Sequence, residues 1–358
     1  MSEQKQKKVL IRPFLYINHS VGWNAIKIAI LLGIQIILLI CTKSWSALAV
    51  VCSGALGSFC ADVISNRITR YHIQDHYNII ISIDQGIIAG MLIPQTFSPI
   101  AVFLLTICVM LIAKHFFGGF SYAWANPSIF CVLVLWIVGY ELFPQFGVSS
   151  DILAMRNPSQ LLIENGYFPV YKFDSSLTET LNNSIFSVFK VSIPEGYISM
   201  FWDTQSIIPA FRFNFITLVS SLILFSDNFV KVIIPGCFLF VYLMLVRFVS
   251  PIFYSGVPFQ GDMLLALLTS GTLFCAVFLI SWYGTVPVTI TGKIIYGVSS
   301  GIIAFFINGC GTSPCGTVAT VLLANIVSII IQQYENHADR LRVTKMAGTY
   351  KKVCEEEL

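Results

Sequence analysis

Asn24–Thr42 reads NAIKIAILLGIQIILLICT, an apolar run in which Lys27 is the single charge. A helix needs about 20 predominantly apolar residues to cross the ~30 Å hydrocarbon core of a bilayer, and this run has that length and character. Similar runs recur at Ser46–Ile64, Asn78–Ile93, Ile100–Ala113 and Pro127–Phe143. After a polar interlude they resume at Phe213–Phe225, Val230–Phe248, Met263–Tyr283, Ile294–Ile307 and Thr317–Gln332. The sequence therefore predicts an all-α polytopic membrane protein with about ten transmembrane helices. Composition agrees: of 358 residues, 56% are hydrophobic and only 11% charged, with mean hydropathy +0.79. Soluble domains are about 25% charged, so a soluble globular chain is excluded, as are disordered, collagen-like and disulfide-scaffold classes. A net charge of +3 is too small for a phosphate-neutralising surface, so no nucleic-acid partner is expected; the lipid bilayer is.

The distribution of cations orients the spans. Residues 1–18 hold Lys5, Lys7, Lys8 and Arg12 against Glu3 and form a basic cytoplasmic tail, not a signal peptide. With this end inside, Arg67, Arg70, His72 and His76 also fall inside, as do Lys114, His115, Lys231, Lys293 and the basic tail after span ten. Arg247 is the exception, at a helix end from which it can snorkel. Both termini are thus expected in the cytoplasm of a bacterial inner-membrane protein. The expected division is a basic tail (1–18), a first five-span half (19–143), an outward-facing polar loop region (144–210), a second half (211–332) and a cytoplasmic tail (333–358). Ten scattered cysteines include no CxxC pair, so no metal site is expected. Cys310 and Cys315 are close enough to bridge or to hold a ligand, with free, packed thiols as the favoured reading.

The two halves resemble each other weakly. Asp84-Gln-Gly86 in span three matches Thr269-Ser-Gly271 in span eight, and Gly118-Gly119 before Asn126-Pro127 matches Gly309-Cys-Gly311 before Ser313-Pro314. Gly86 and Gly271 lie 185 residues apart, Gly119 and Gly309 190, Pro127 and Pro314 187. Short third, fourth, ninth and tenth spans flanked or interrupted by Gly and Pro point to broken helices, which occur at membrane depth where they line a cavity or are buried in protein.

Asp84 is the acid most deeply placed in a span. An intramembrane carboxylate is costly and faces a cavity or partner, so Asp84 is a candidate for the ion path; the alternative is that it caps a half-helix. Gly118 and Gly119 permit close backbone approach, and Asn126-Pro127 has the form of a helix start. Phe120, Tyr122 and Trp124 form either a stacking surface for a flat ring or an interfacial aromatic belt.

Lys114-His-Phe-Phe-Gly118-Gly119-Phe followed by Asn126-Pro127-Ser128 resembles the Lys-x-Leu-Phe-Gly-Gly-Leu-Gly and Phe-Asn-Pro-Ala elements of a family of flavin-carrying membrane subunits. That family includes the D subunit of Rnf-type redox-driven ion pumps and the B subunit of the sodium-translocating NADH:quinone reductase. Ile83-Asp84-Gln-Gly86 with Pro94, and Ser270-Gly271 through Val286-Pro287-Val288-Thr289, follow in the same order, and the length suits the Rnf member. The resemblance implies electron transfer through bound flavin between ferredoxin and NAD, coupled to Na⁺ or H⁺ movement, in company with the other subunits of an Rnf-type complex. It implies Gly118, Gly119 and Asn126 as cofactor-binding positions, with FMN and riboflavin as cofactors. It further implies FMN esterified by a flavin transferase to a Thr in an outward loop, within Asp-x-x-Ser-Gly-Ala-Thr. The matching segment here is Asp174-Ser-Ser-Leu-Thr-Glu-Thr180, making Thr180 the candidate, with Leu177, Thr178 and Glu179 replacing Ser-Gly-Ala. The family's Ala-Thr-Asp-Pro after span eight reads Ser281-Trp-Tyr-Gly284, without its acid. A solute transporter or channel of duplicated five-span type, and a scaffold subunit without flavin, are the competing readings.

Overall fold

In hydrocarbon, backbone amides and carbonyls must pair within their own segment, so apolar runs of this length become helices even where isoleucine is abundant. The computed structural model of the chain describes residues 21–69, 76–116, 124–144, 150–155, 157–226, 229–308 and 316–356. Gly118, Gly119, Phe120, Tyr122, Cys310 and Cys315 lie outside them. The first half holds α1 (Val21–Cys41), α2 (Trp45–Thr69), α3 (His76–Leu92), α4 (Pro99–Met110, continued by a π turn at Leu111–Phe116) and α5 (Pro127–Val138). Between the halves come four short helices, α6 (Ser150–Ala154), α7 (Pro158–Glu164), α8 (Asp174–Ser184) and α9 (Tyr197–Trp202). The second half holds α10 (Asn214–Phe225), α11 (Ile233–Phe248), α12 (Ser250–Phe253), α13 (Met263–Thr269), α14 (Thr272–Phe274, continued by a π turn at Cys275–Leu279), α15 (Ile290–Ile307) and α16 (Gly316–Glu356). No strand occurs among the described residues. Among the described residues six helices are long and apolar enough to cross a membrane, and Asn78–Leu92, Pro127–Val138 and Asn214–Phe225 are shorter apolar helices. With the interrupted Met263–Leu279 segment they follow the order of the hydropathy runs. The protein is an all-helical, multi-pass membrane protein.

Several helix starts are written locally. The Asn126 side chain accepts from the Ser128 amide at 3.0 Å with Pro127 in the first turn, so Asn-Pro opens α5 as its sequence implies. Asp262 accepts from the Leu265 amide to open α13, and Thr289 from the Gly292 amide to open α15, each at 3.0 Å.

The breaks fall elsewhere than the glycines suggested. Gly86 and Gly90 leave α3 continuous; they are contact points with α2, since a Cβ on Gly86 would stand 2.5 Å from the Gly54 carbonyl oxygen. α15 is likewise unbroken, and Gly301 packs against the backbone of α11, a Cβ there standing 2.8 Å from the Phe238 oxygen. Small residues let backbones approach in this way where no hydrophobic force draws helices together in lipid. The real interruption is in span eight, where Gly271 at φ +69° separates α13 from α14. The tenth span is not short either: α16 runs for 41 residues, about 60 Å at 1.5 Å per residue, roughly twice the hydrocarbon thickness.

The halves meet through equivalent helices, α1 against α10 and α5 against α16. Gln35 on α1 donates to the Thr217 hydroxyl on α10 at 3.2 Å. These residues lie 182 apart in sequence, so the bond ties the first half to the second. The polar interlude is not an open loop: Leu162, Ile163, Phe168 and Met200 form a small core with Leu265 and Leu268 of α13. Arg212 fastens this region, donating to both Asp203 oxygens at 3.0 and 2.7 Å and to the Ser44 hydroxyl between α1 and α2 at 2.6 Å.

Candidate functional site

Asp84 lies in the middle of α3, 0% exposed, and neither carboxylate oxygen has a hydrogen-bond partner among the described residues. The capping alternative is therefore overturned, because no helix begins at Asp84 and no amide points to it. Next to it, the Gln85 side-chain amide is also buried without a hydrogen-bond partner, as is the Asn126 Nδ2. Ser128 Oγ donates to the Gln85 carbonyl oxygen at 2.8 Å, pinning the first turn of α5 against the residue that follows Asp84. From the second half, Tyr283 comes within electrostatic reach of Asp84. Tyr283 occupies the position where the family pattern carries its acid. The arrangement is a buried acid beside the Gln85 amide, with Tyr283 of the second half nearby. A carboxylate so placed costs several kcal/mol unless a proton or a cation accompanies it.

A second cluster was not singled out in the sequence. Asp62 on α2 accepts from Lys114 Nζ at 2.9 and 3.2 Å and hydrogen-bonds His115 Nε2 at 2.6 Å. Ser82 on α3 joins both Asp62 and Lys114. Lys114 is 3% exposed, so it is not the solvated loop cation that the charge pattern implied. It belongs to the π turn that ends α4, and its wide winding lets successive side chains address one carboxylate. The signal available in sequence was an acid inside span two, Asp62, with two basic residues opening the Gly118-Gly119 element; their partnership was not.

The candidate flavin segment is also ordered differently from expectation. Asp174 is fully buried at the start of α8, where it accepts from the Gly196 amide, from the Ser199 amide and hydroxyl, and from Thr178 Oγ1. Burial raises its carboxyl, but these four donors together hold it below the usual carboxylate range. Asp174 thus fixes α9 against α8. Thr180 is exposed on α8, a regular helix and not an irregular loop, and its hydroxyl donates to the Ser176 carbonyl at 2.7 Å. A neighbouring polar cleft is lined by Glu179 and Glu195 together with Ser175, Asn182 and Asn183, and Thr180 is not among its walls. Trp124 packs edge-on against Phe130 and is partly exposed, in keeping with an interfacial ring. Among the described residues no group of three or more His, Cys, Asp or Glu is placed to hold a metal.

Comparison with known proteins agrees with this architecture. The D subunit of the proton-translocating ferredoxin:NAD(+) oxidoreductase complex of Clostridium ljungdahlii is 24% identical over 297 residues, covering 78% of this chain and 82% of that protein. The D subunit of the ion-translocating oxidoreductase complex of Actinobacillus pleuropneumoniae is 24% identical over 296 residues, covering 76% and 79%. The corresponding protein from Salmonella dublin is 23% identical over 314 residues, covering 81% and 86%. The profile of one family extends over residues 8–339, nearly the whole molecule, and the chain belongs to that NQR2, RnfD, RnfE family.

Proposed function

We propose that this chain is an integral subunit of an ion-translocating oxidoreductase complex, and that Asp84 is the group through which an ion, Na⁺ or H⁺, passes the seam between the halves. The observation that carries this reading is the Asp84 carboxylate, buried without a hydrogen-bond partner beside Gln85 and within electrostatic reach of Tyr283. Such a group takes up a cation or proton and releases it when its surroundings change. Electrons pass between ferredoxin and NAD through flavin in the complex, with sister subunits supplying the clusters and the nicotinamide site. The basic loops support a cytoplasmic-membrane protein with both termini inside.

Covalent FMN on Thr180 is the finer part of the proposal. Thr180 is reachable by a transferase, but its hydroxyl is committed to Ser176 and Glu179 stands beside it. That observation favours a second reading, a subunit of the same complex that has lost covalent flavin. In-gel flavin fluorescence of the denatured complex, with Thr180→Ala as control, separates the two. For the ion path, Asp84→Asn in membrane vesicles carrying the complex is expected to leave electron transfer measurable and to abolish ion uptake. Wild-type uptake per electron in that variant would remove Asp84 from the path.

A further inference from the structure

A cleft of about 400 Å³ lies between the first turns of α1 and α11, the end of α10, the turn at 281–286 and the start of α15. Tyr283, which approaches Asp84, is one of its lining residues, but the cleft's cations and apolar walls have no role in the ion path proposed above. Its walls are mainly apolar, from Ile28, Phe225, Val277 and Phe278, and the nearly buried Trp282 lines it as well. Two cations, Lys231 and Lys293, also line it. They begin spans seven and nine, while Asn24 begins span one, so all three sit at the same end of the bundle. Lys231 Nζ donates to Asn24 Oδ1 at 3.2 Å. Ser281 Oγ is buried with no hydrogen-bond partner among the described residues. Glu335 is the acid within electrostatic reach of Lys293, and its charge is shared with the Val288 and Thr289 amides and the Thr289 hydroxyl, from which it accepts. Asp227 lies outside the described residues. Close by on α1, Trp23 is half exposed with Lys27 over its ring at 5.9 Å, the pairing of an aromatic and a cation found at a membrane interface.

We propose that this cleft binds an anionic phospholipid, with its phosphate at Lys231 and Lys293 and an acyl chain against Phe225, Val277 and Phe278. A basic pocket between spans on the cytoplasmic side suits an acidic headgroup. A soluble anion would leave the apolar walls uncovered, and a zwitterionic headgroup would bring a further cation toward two lysines.

Trp282 supplies the reporter. Purified full-length protein in phosphatidylcholine nanodiscs is titrated with phosphatidylglycerol brominated on its acyl chains, with brominated phosphatidylcholine as reference, and tryptophan emission is read. Brominated phosphatidylglycerol is expected to quench a component that Trp282→Phe removes, at a several-fold lower mole fraction than phosphatidylcholine requires. Lys231→Gln and Lys293→Gln are each expected to raise that mole fraction roughly fivefold, and Arg340→Gln, outside the cleft, to leave it unchanged. In the unsubstituted protein the preference should weaken as salt rises, a reading that needs no variant. Equal quenching by the two lipids, or a preference indifferent to both lysines and to salt, overturns the proposal. Competition by soluble glycerol phosphate without acyl-chain quenching assigns the lysines to a free anion and overturns it equally.

Discussion

In the first half, α2, α3 and the π turn after α4 close around Asp62, Ser82, Lys114 and His115. In the second half, α11 and α15 pack directly, with Gly301 against the Phe238 backbone. Lys114 and Gly301 lie 187 residues apart, the same offset as Pro127 and Pro314. Lys114 thus pairs with a buried acid, whereas Gly301 at its offset meets helix backbone. Asp84 shows the same asymmetry, since Thr269 lies at its offset in the second half. The second half departs in a different way, with a helix break at Gly271 and Tyr283 brought toward Asp84.

The ion cluster offers the largest test of that contrast. Asp62→Ala strands the Lys114 ammonium in the protein interior and is expected to cost about 3–5 kcal/mol. Replacing both partners, Asp62→Leu with Lys114→Met, should restore most of the loss and convert the first half to the packing of the second. Thermal unfolding of the detergent-solubilised protein reads both variants. A double variant no better than the single one would break the comparison.

A smaller effect is expected where the halves behave alike. Gly86→Ala and Gly301→Ala each force a methyl into the backbone of a neighbouring helix, and each should cost about 1–3 kcal/mol. A marked difference between them in the same unfolding measurement would show that only one helix pair is close-packed.

The smallest effect concerns an acid of the opposite kind to Asp84. Asp174 is buried but fully hydrogen-bonded, so removing one of its four donors with Thr178→Val should cost only about 1 kcal/mol, read as local hydrogen exchange in α8 and α9. Its carboxyl is held below the usual range in the folded chain, so its contribution is complete above the ordinary carboxylate value and is lost as pH falls through the lower folded value. Protection factors in α8 and α9, corrected for the intrinsic pH dependence of exchange, should therefore fall with acidification in the wild type and lose that dependence in Asp174→Asn.

Much of this was legible without a structure. The apolar runs foretold the helices in order, because a bilayer allows a spanning segment no other way to satisfy its own backbone. Asn126-Pro127 marked the start of α5, since a cap is a contact between residues two apart. Asp84 announced itself by lying alone in an apolar run. The glycines misled because one residue type serves two purposes: Gly271 adopts a left-handed conformation, whereas Gly86 and Gly301 only make room. Sequence shows that a Cβ is missing, and the neighbour that its absence admits is known only once the helices are packed. The partnership of Asp62 with Lys114 belongs to the same class, for the two are 52 residues apart on different helices. Hydropathy is summed along one segment and is fixed by its own residues, whereas the pairing of buried charges is fixed by which segments touch, and that only the tertiary structure decides.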